Sequence, residues 1–188
     1  MARTVVIAGV GPGLGESIAR RFAAEGCRVG LLARSASYLD DLAADLDGTA
    51  GAGLAVPTDL TDSDEIVAGF EAVRDAFGPV DVLVNHASAA SWDGLTDVSP
   101  ESFDRALAVG PKAALHCSQE AVPDMLESGG GTVIFTGATT SVRGREGAVG
   151  FSAAKFANRG LAESMARELG PEGIHVAHVV IDGQIRTP

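Results

Sequence analysis

The sequence predicts an α/β protein: a doubly wound parallel sheet of six strands in the order 3-2-1-4-5-6. Three observations predict it. Six short apolar runs recur along the 188 residues, each parted from the next by a stretch with helical spacing. The runs are nearly continuous Val, Ile, Leu and Ala, as in strands covered on both faces, and do not alternate with polar residues. The first run leads directly into a glycine-crowded turn that opens a helix, TVVIAGVGPGLGESIAR over residues 4–20. Right-handed crossovers then place helices on both faces of the sheet. The length suits one domain spanning residues 1–188.

Each element follows in order. Val5-Val6-Ile7-Ala8 is the first strand, and Leu14, Ile18, Ala19 and Phe22 mark one face of the first helix. Residues 28–33 form the second strand. Ser35 is placed to cap a helix that carries Leu39, Leu42, Ala43 and Leu46. Residues 48–53 read as a loop, and Leu54-Ala55-Val56 as a short third strand ending at Pro57. The next helix shows Ile66, Val67, Phe70, Val73 and Phe77 on one face and stops at Gly78-Pro79. Residues 80–84 are the fourth strand. A long helical region over 100–126 contains Pro111 and Pro123, which should kink or interrupt it. Residues 132–136 form the fifth strand and 137–147 a polar loop. A helix over 151–169 and a sixth strand over 174–181 complete the pattern.

Composition narrows the function. The net charge is −11, and only Lys112 and Lys155 are lysines. No basic cluster suggests nucleic acid as a partner. No apolar run is long enough to span a membrane, and no leader-like segment precedes the first strand. Two cysteines, Cys27 and Cys117, make neither a disulfide framework nor a metal site, which points to a reducing, cytoplasmic setting.

The glycine turn carries the chemistry. Gly9, Gly11, Gly13 and Gly15 let the backbone approach a phosphate, and the free N–H groups at the helix start, from Leu14 onward, face the negative charge. Strand before and helix after are the context a dinucleotide site requires. The crevice is expected between strands 1 and 4, with Asn85 on the same wall as the glycines. The second strand ends in Ala33-Arg34-Ser35 without a carboxylate. Arg34 and Ser35 suit a 2′-phosphate, so NADP(H) is favoured over NAD(H). Asp59, followed by Leu60, is placed near the adenine; a capping role for one of the nearby aspartates is the alternative.

At this point the chain resembles the short-chain dehydrogenase/reductase family over its whole length. The resemblance rests on Gly9-x-x-x-Gly13-x-Gly15, Asp59-Leu60, Asn85-x-Ala87, the long helix ending near Ser118-Gln119, Lys155, and Ile181-Asp182-Gly183 with Thr187-Pro188. It implies a Rossmann fold and hydride transfer between a nicotinamide and a carbonyl or alcohol carbon of a small molecule. It also implies cofactor contacts from Lys155 and Thr187, and a homodimer or homotetramer built through helices 100–126 and 151–169. Family members continue beyond this point with a substrate-covering segment and a seventh strand, so the chain is expected to be truncated. Its catalytic set is degenerate. Phe151 stands where the family has its proton-transferring tyrosine, Ala138 where it has a serine, and Gly110 where it has a helix asparagine; Lys155 remains. The one tyrosine, Tyr38, belongs to the adenosine side. His86 and Ser152 are candidate proton donors, and Thr139 and Thr140 candidate carbonyl polarisers or donors. Two readings stay open: an NADP(H)-dependent oxidoreductase with a non-standard proton donor, and a nucleotide-binding pseudoenzyme. A mononucleotide or S-adenosylmethionine binder fits the whole-chain match less well.

Overall fold

The computed structural model describes residues 2–183 and Ile185. Six strands form one sheet: β1 (Thr4–Ala8), β2 (Arg28–Ala33), β3 (Ala52–Pro57), β4 (Val82–Asn85), β5 (Gly131–Ala138) and β6 (Ile174–Ile181). Their order is β3-β2-β1-β4-β5-β6, as expected, and every neighbouring pair is parallel. The crossovers are α1 (Leu14–Ala24), α2 (Ala36–Asp47), α3 (Ser63–Phe77), α4 (Pro100–Leu107) continued by α5 (Ala113–Glu127), and α6 (Val149–Leu169).

The two faces of the sheet bury separate cores. Val5, Ile7, Val29 and Leu31 pack under Ala19, Ala23, Leu39 and Leu42 of α1 and α2. Val6, Leu32, Leu83 and Phe135 pack against α3, α5 and α6 through Phe70, Cys117, Met125 and Ala162. Cys27 and Cys117 fall in different cores and are both free.

Several boundaries differ from the expected ones, each for a local reason. β4 starts two residues later, because the Val80 N–H goes to the Asp124 carboxylate (3.0 Å) and not to the sheet. β3 starts at Ala52, inside the supposed loop, paired to Arg28. β5 extends to Ala138, and a 3₁₀ turn, Thr139–Ser141, takes up the start of the loop. The prolines act differently. Pro111 sits in a π-helical turn, Ala108–Lys112, that joins α4 to α5. Pro123 lies within α5 without breaking it, since the carbonyl it frees, on exposed Gln119, can take water. α3 is capped by Asp62, which accepts from the N–H groups of Asp64 and Glu65. α4 is capped by Ser99, with Pro100 in its first turn.

Candidate active site

The strand order reverses between β1 and β4, and their C-terminal ends build the crevice floor. The Ala8 carbonyl accepts from the N–H groups of His86 and Ala87 (2.9 and 2.8 Å). The Leu32 carbonyl accepts from those of Gly9 and Val10 (2.9 and 3.1 Å). Gly9 has φ of 100°, and a Cβ there would lie 2.5 Å from the Ala87 backbone. Only glycine lets the two loops close on each other this way. Gly15 is buried beneath the turn, where a Cβ would come within 3.1 Å of the His86 ring. Gly11 faces open space. Gly13 caps α1, and no side chain takes an N–H of the first turn. The acid in that turn, Glu16, is tied away by Arg20 and Tyr38, both at 2.8 Å, and these bonds hold its carboxyl low. The α1 start thus presents free donors to an anion.

From this turn a cavity of about 1410 Å³ runs across the sheet ends. At the β2–β3 end it is lined by Ala33, Arg34, Asp59 and Leu60. Asp59 accepts from the Thr61 N–H and hydroxyl (2.9 and 2.8 Å), which keeps its carboxyl below the usual range. It is therefore turn-bound, while Asp62 does the helix capping. Ser35 holds the cap position of α2 without a side-chain cap bond, just outside the lining residues.

At the β4–β5 end the cavity reaches His86, Ala87, Thr139, Thr140, Phe151 and Lys155. Lys155 is no solvated helix-start residue. It is 6% exposed, and its Nζ donates to the Thr136 carbonyl (2.9 Å) and lies 5.5 Å from the centroid of the Phe151 ring. Burial pushes its pKa down to about 8. The Thr136 hydroxyl lies within hydrogen-bond distance of both the Asn85 carbonyl (3.4 Å) and His86 Nδ1 (2.9 Å). Burial, with Lys155 nearby, lowers the His86 pKa to about 4, so the ring is neutral at pH 7. Thr140 is buried, and its hydroxyl has no partner among the described residues. Thr139 donates to the Asp182 carboxylate. Ser152 accepts from the Arg145 N–H (3.2 Å) and does not line the cavity.

The placement of Asn85 needs correction. Its side chain points behind the wall, donating to the Ser118 hydroxyl (3.2 Å), and Asn85 does not line the cavity. The residue after a parallel strand turns to the opposite face, so His86 and Ala87 form the wall instead. Thr187 lies outside the described residues.

Sequence reasoning missed Trp92, Arg105, Arg143 and Arg145, which also line the cavity. Their one visible signal was that Trp92 is the only tryptophan; loop residues carry no periodicity to aim them. It also missed Asn158 on α6. That side chain is 5% exposed, and its Nδ2 lies 3.9 Å from where a Cβ on Gly110 would sit.

The family model for short chain dehydrogenase matches residues 3–188. The chain belongs to the short-chain dehydrogenase/reductase family. It is 31% identical over 188 residues to a 3alpha-hydroxysteroid dehydrogenase of Mediterraneibacter gnavus, covering 98% of this chain and 74% of that protein. A short-chain dehydrogenase structure from Rhodopseudomonas palustris superposes with a TM-score of 0.90 at 36% identity, covering 96% of this chain and 85% of that one. A 3-ketoacyl-(acyl-carrier-protein) reductase from Brucella melitensis, complexed with NADH, superposes at 0.89 with 28% identity, covering 96% and 75%. Short-chain dehydrogenases are oxidoreductases that bind a nicotinamide cofactor, and this crevice fits one: an uncapped helix start, a glycine that faces open space, and a buried lysine with donors to spare. No helix among the described residues is long and apolar enough to cross a membrane.

Proposed function

We propose that this protein is an NADP(H)-dependent oxidoreductase that acts on a carbonyl or alcohol group of a small molecule, with Lys155 in place of the usual phenol as proton donor. The observation that carries it is the single crevice joining the glycine turn and Arg34 at one end to buried Lys155 at the other. The backbone from Gly9 to Leu14 would hold the pyrophosphate, and Arg34 with Ser35 the 2′-phosphate. Asp59 and Leu60 would border the adenine, and Lys155 the nicotinamide ribose. When bound, the nicotinamide supplies or takes the hydride at the substrate carbon.

The chain's own residues manage the oxygen. Phe151 has no proton to give. Neutral His86 has Nδ1 tied to Thr136, and its lowered pKa leaves it without the second proton of an imidazolium at pH 7. The Thr140 hydroxyl has no partner among the described residues, but it is buried, so it would polarise the carbonyl only after a side-chain rotation into the crevice. Lys155 is still charged at pH 7, and only one of its donors is tied in the described structure. In the reductive direction its ammonium gives the oxygen a proton, becomes a neutral amine, and regains the proton from water in the crevice.

A second reading, a nucleotide-binding pseudoenzyme, is favoured by Phe151, Ala138 and Gly110 at three expected catalytic positions. Fluorescence titration with NADPH and NADH tests the nucleotide claim. NADPH should bind more tightly, and Arg34→Glu should reverse the order, weakening NADPH by about 10–100-fold. Equal affinities unaffected by Arg34→Glu would refute the NADP(H) assignment. Oxidation of NADPH with a carbonyl panel then separates enzyme from pseudoenzyme; turnover that survives Lys155→Met unchanged would remove the lysine from the proton step.

We further propose a homodimer or homotetramer assembled through α4–α5 and α6, and a cytoplasmic location.

A further inference from the structure

The arginines of this acidic protein are unevenly placed. Arg20, Arg21, Arg74, Arg159 and Arg167 are all ion-paired. Of the arginines with no carboxylate within ion-pair distance among the described residues, Arg3 and Arg28 do not line the crevice, while Arg34, Arg105, Arg143 and Arg145 do. With Lys155 they face Asp59, Glu146 and Asp182, so the crevice carries an excess of positive charge in a chain of net charge −11. Such a field draws anions.

These cations fall in two places. Arg34 stands at the β2–β3 end, and the charges of both Arg34 and Arg105 act on Asp59 there. Arg143 and Arg145 belong to the loop between β5 and α6, the helix that carries Phe151. Their backbone is pinned: the Arg143 N–H donates to the Thr139 carbonyl (3.1 Å) and the Arg145 N–H to the Ser152 hydroxyl (3.2 Å). The Arg145 guanidinium lies 5.2 Å from the centroid of the Trp92 ring. Trp92 in turn sits 5.2 Å, centroid to centroid, from Phe151.

Trp92 is 57% exposed, yet its neighbours are fixed. The Ser91 hydroxyl donates to the Asp93 carboxylate (2.7 Å) and accepts from the Ser102 hydroxyl (3.0 Å), and the Asp93 carbonyl accepts from the Val149 N–H (3.1 Å). A large apolar ring held in the open by an ordered loop marks a binding surface. Here that surface runs along the cavity wall.

We propose that this end of the crevice is the site for an organic carboxylate substrate, its apolar body resting on Trp92 and Phe151 and its carboxylate met by Arg143 and Arg145. The assignment rests on the oxidoreductase reading for the word substrate, and on the local geometry alone for the anion. The planar forks of two arginines match a carboxylate, and the aromatic pair favours an apolar group attached to it. Glu146, beside Arg145, disfavours a second negative charge on the same ligand.

Trp92 is the only tryptophan, so its emission reports on this site directly. The probes are pyruvate, benzylpyruvate and benzylpyruvate ethyl ester, titrated with and without NADP⁺. Benzylpyruvate should shift the emission saturably, and the neutral ester should bind about tenfold or more weakly. Arg145→Gln and Arg143→Gln should each bring the acid down to the level of the ester while leaving NADPH titrations unchanged. Added salt should weaken the acid and not the ester. Equal binding of acid and ester would overturn the proposal, as would no binding of either keto acid by a protein that binds NADPH. Loss of NADPH binding in the arginine variants would assign them to the nucleotide instead, which also overturns it. Carboxylate binding without any NADPH binding would leave this site standing and sink the oxidoreductase reading.

Discussion

Lys155 illustrates a residue whose burial works against stability. Its pKa falls from 10.5 to about 8 in the folded protein. Between those values the unfolded chain holds a proton that the folded chain has released, so stability rises with pH across that window and the cost is fully present below pH 8. The shift corresponds to about 3 kcal/mol, from which the lost bond to Thr136 must be subtracted. Lys155→Met should therefore stabilise the fold at pH 7 by about 1–2 kcal/mol while abolishing turnover, read by urea denaturation at pH 7 and 9.5. Wild type and variant should converge at the higher pH; a destabilised variant at pH 7 would contradict the sign. Phe151 gives the complementary test. Its ring already lies beside Lys155, so Phe151→Tyr places a phenol next to a cation that favours its ionised form. A rate gain of about 10²–10⁴-fold on accepted carbonyls is expected, and an unchanged rate would show that the site lacks more than the phenol. Position 151 was legible from spacing to Lys155. The commitment of His86 to Thr136 was not, because that bond joins residues on two different strand ends.

At the level of elements, the sequence was legible wherever one residue type had one structural use. Glycines between an apolar run and a helical pattern marked the β1–α1 turn. The strand order followed from counting crossovers. What failed was apolar residues with another purpose: Val80 is buried and reads as strand, yet bonds Asp124 across to α5. Gly9, which lines the crevice, and Gly110, which does not, respond to a methyl group in opposite ways. Gly9→Ala would force positive φ and a Cβ contact of 2.5 Å onto the Ala87 backbone, which cannot move without parting β1 from β4. It should cost about 3 kcal/mol or more and remove NADPH binding together. Gly110 lies in the π-helical turn with helical backbone, and its Cβ would meet the Ala154 methyl at 3.4 Å, an ordinary contact. Gly110→Ala should be neutral or stabilising by about 0.5–1 kcal/mol. Denaturation midpoints of the two variants, measured side by side, check the contrast; similar losses in both would mean that the π turn tolerates a methyl group no better than the β1–β4 closure does.

For the molecule as a whole, the question is what covers the outer faces of α5 and α6. Both helices bury one side against the sheet through Cys117, Ala121, Ala162 and Met165. Their other side carries Leu115 (40% exposed) and Leu126 (44%) on α5 and Phe156 (44%) on α6, next to small residues at Ala157 and Gly160. Small residues beside a projecting phenylalanine let a second helix approach closely, and a self-complementary patch of this kind closes into a two-fold dimer. The acidic net charge alone would keep copies apart, so the apolar patch has to outweigh it. Phe156 adjoins Lys155 in sequence but points the opposite way, one outward and one into the crevice. A change at Phe156 can thus test assembly without touching the site. Light scattering should give the mass of two or four chains for the wild type and of one chain for Phe156→Glu combined with Leu115→Glu. NADPH affinity should persist in the variant, because every proposed nucleotide contact comes from within one chain. An unchanged mass would rule out these helices as the interface. Loss of nucleotide binding on dissociation would mean instead that the crevice is held open by the partner's packing on α6, and the two-ended site would then be a property of the assembly.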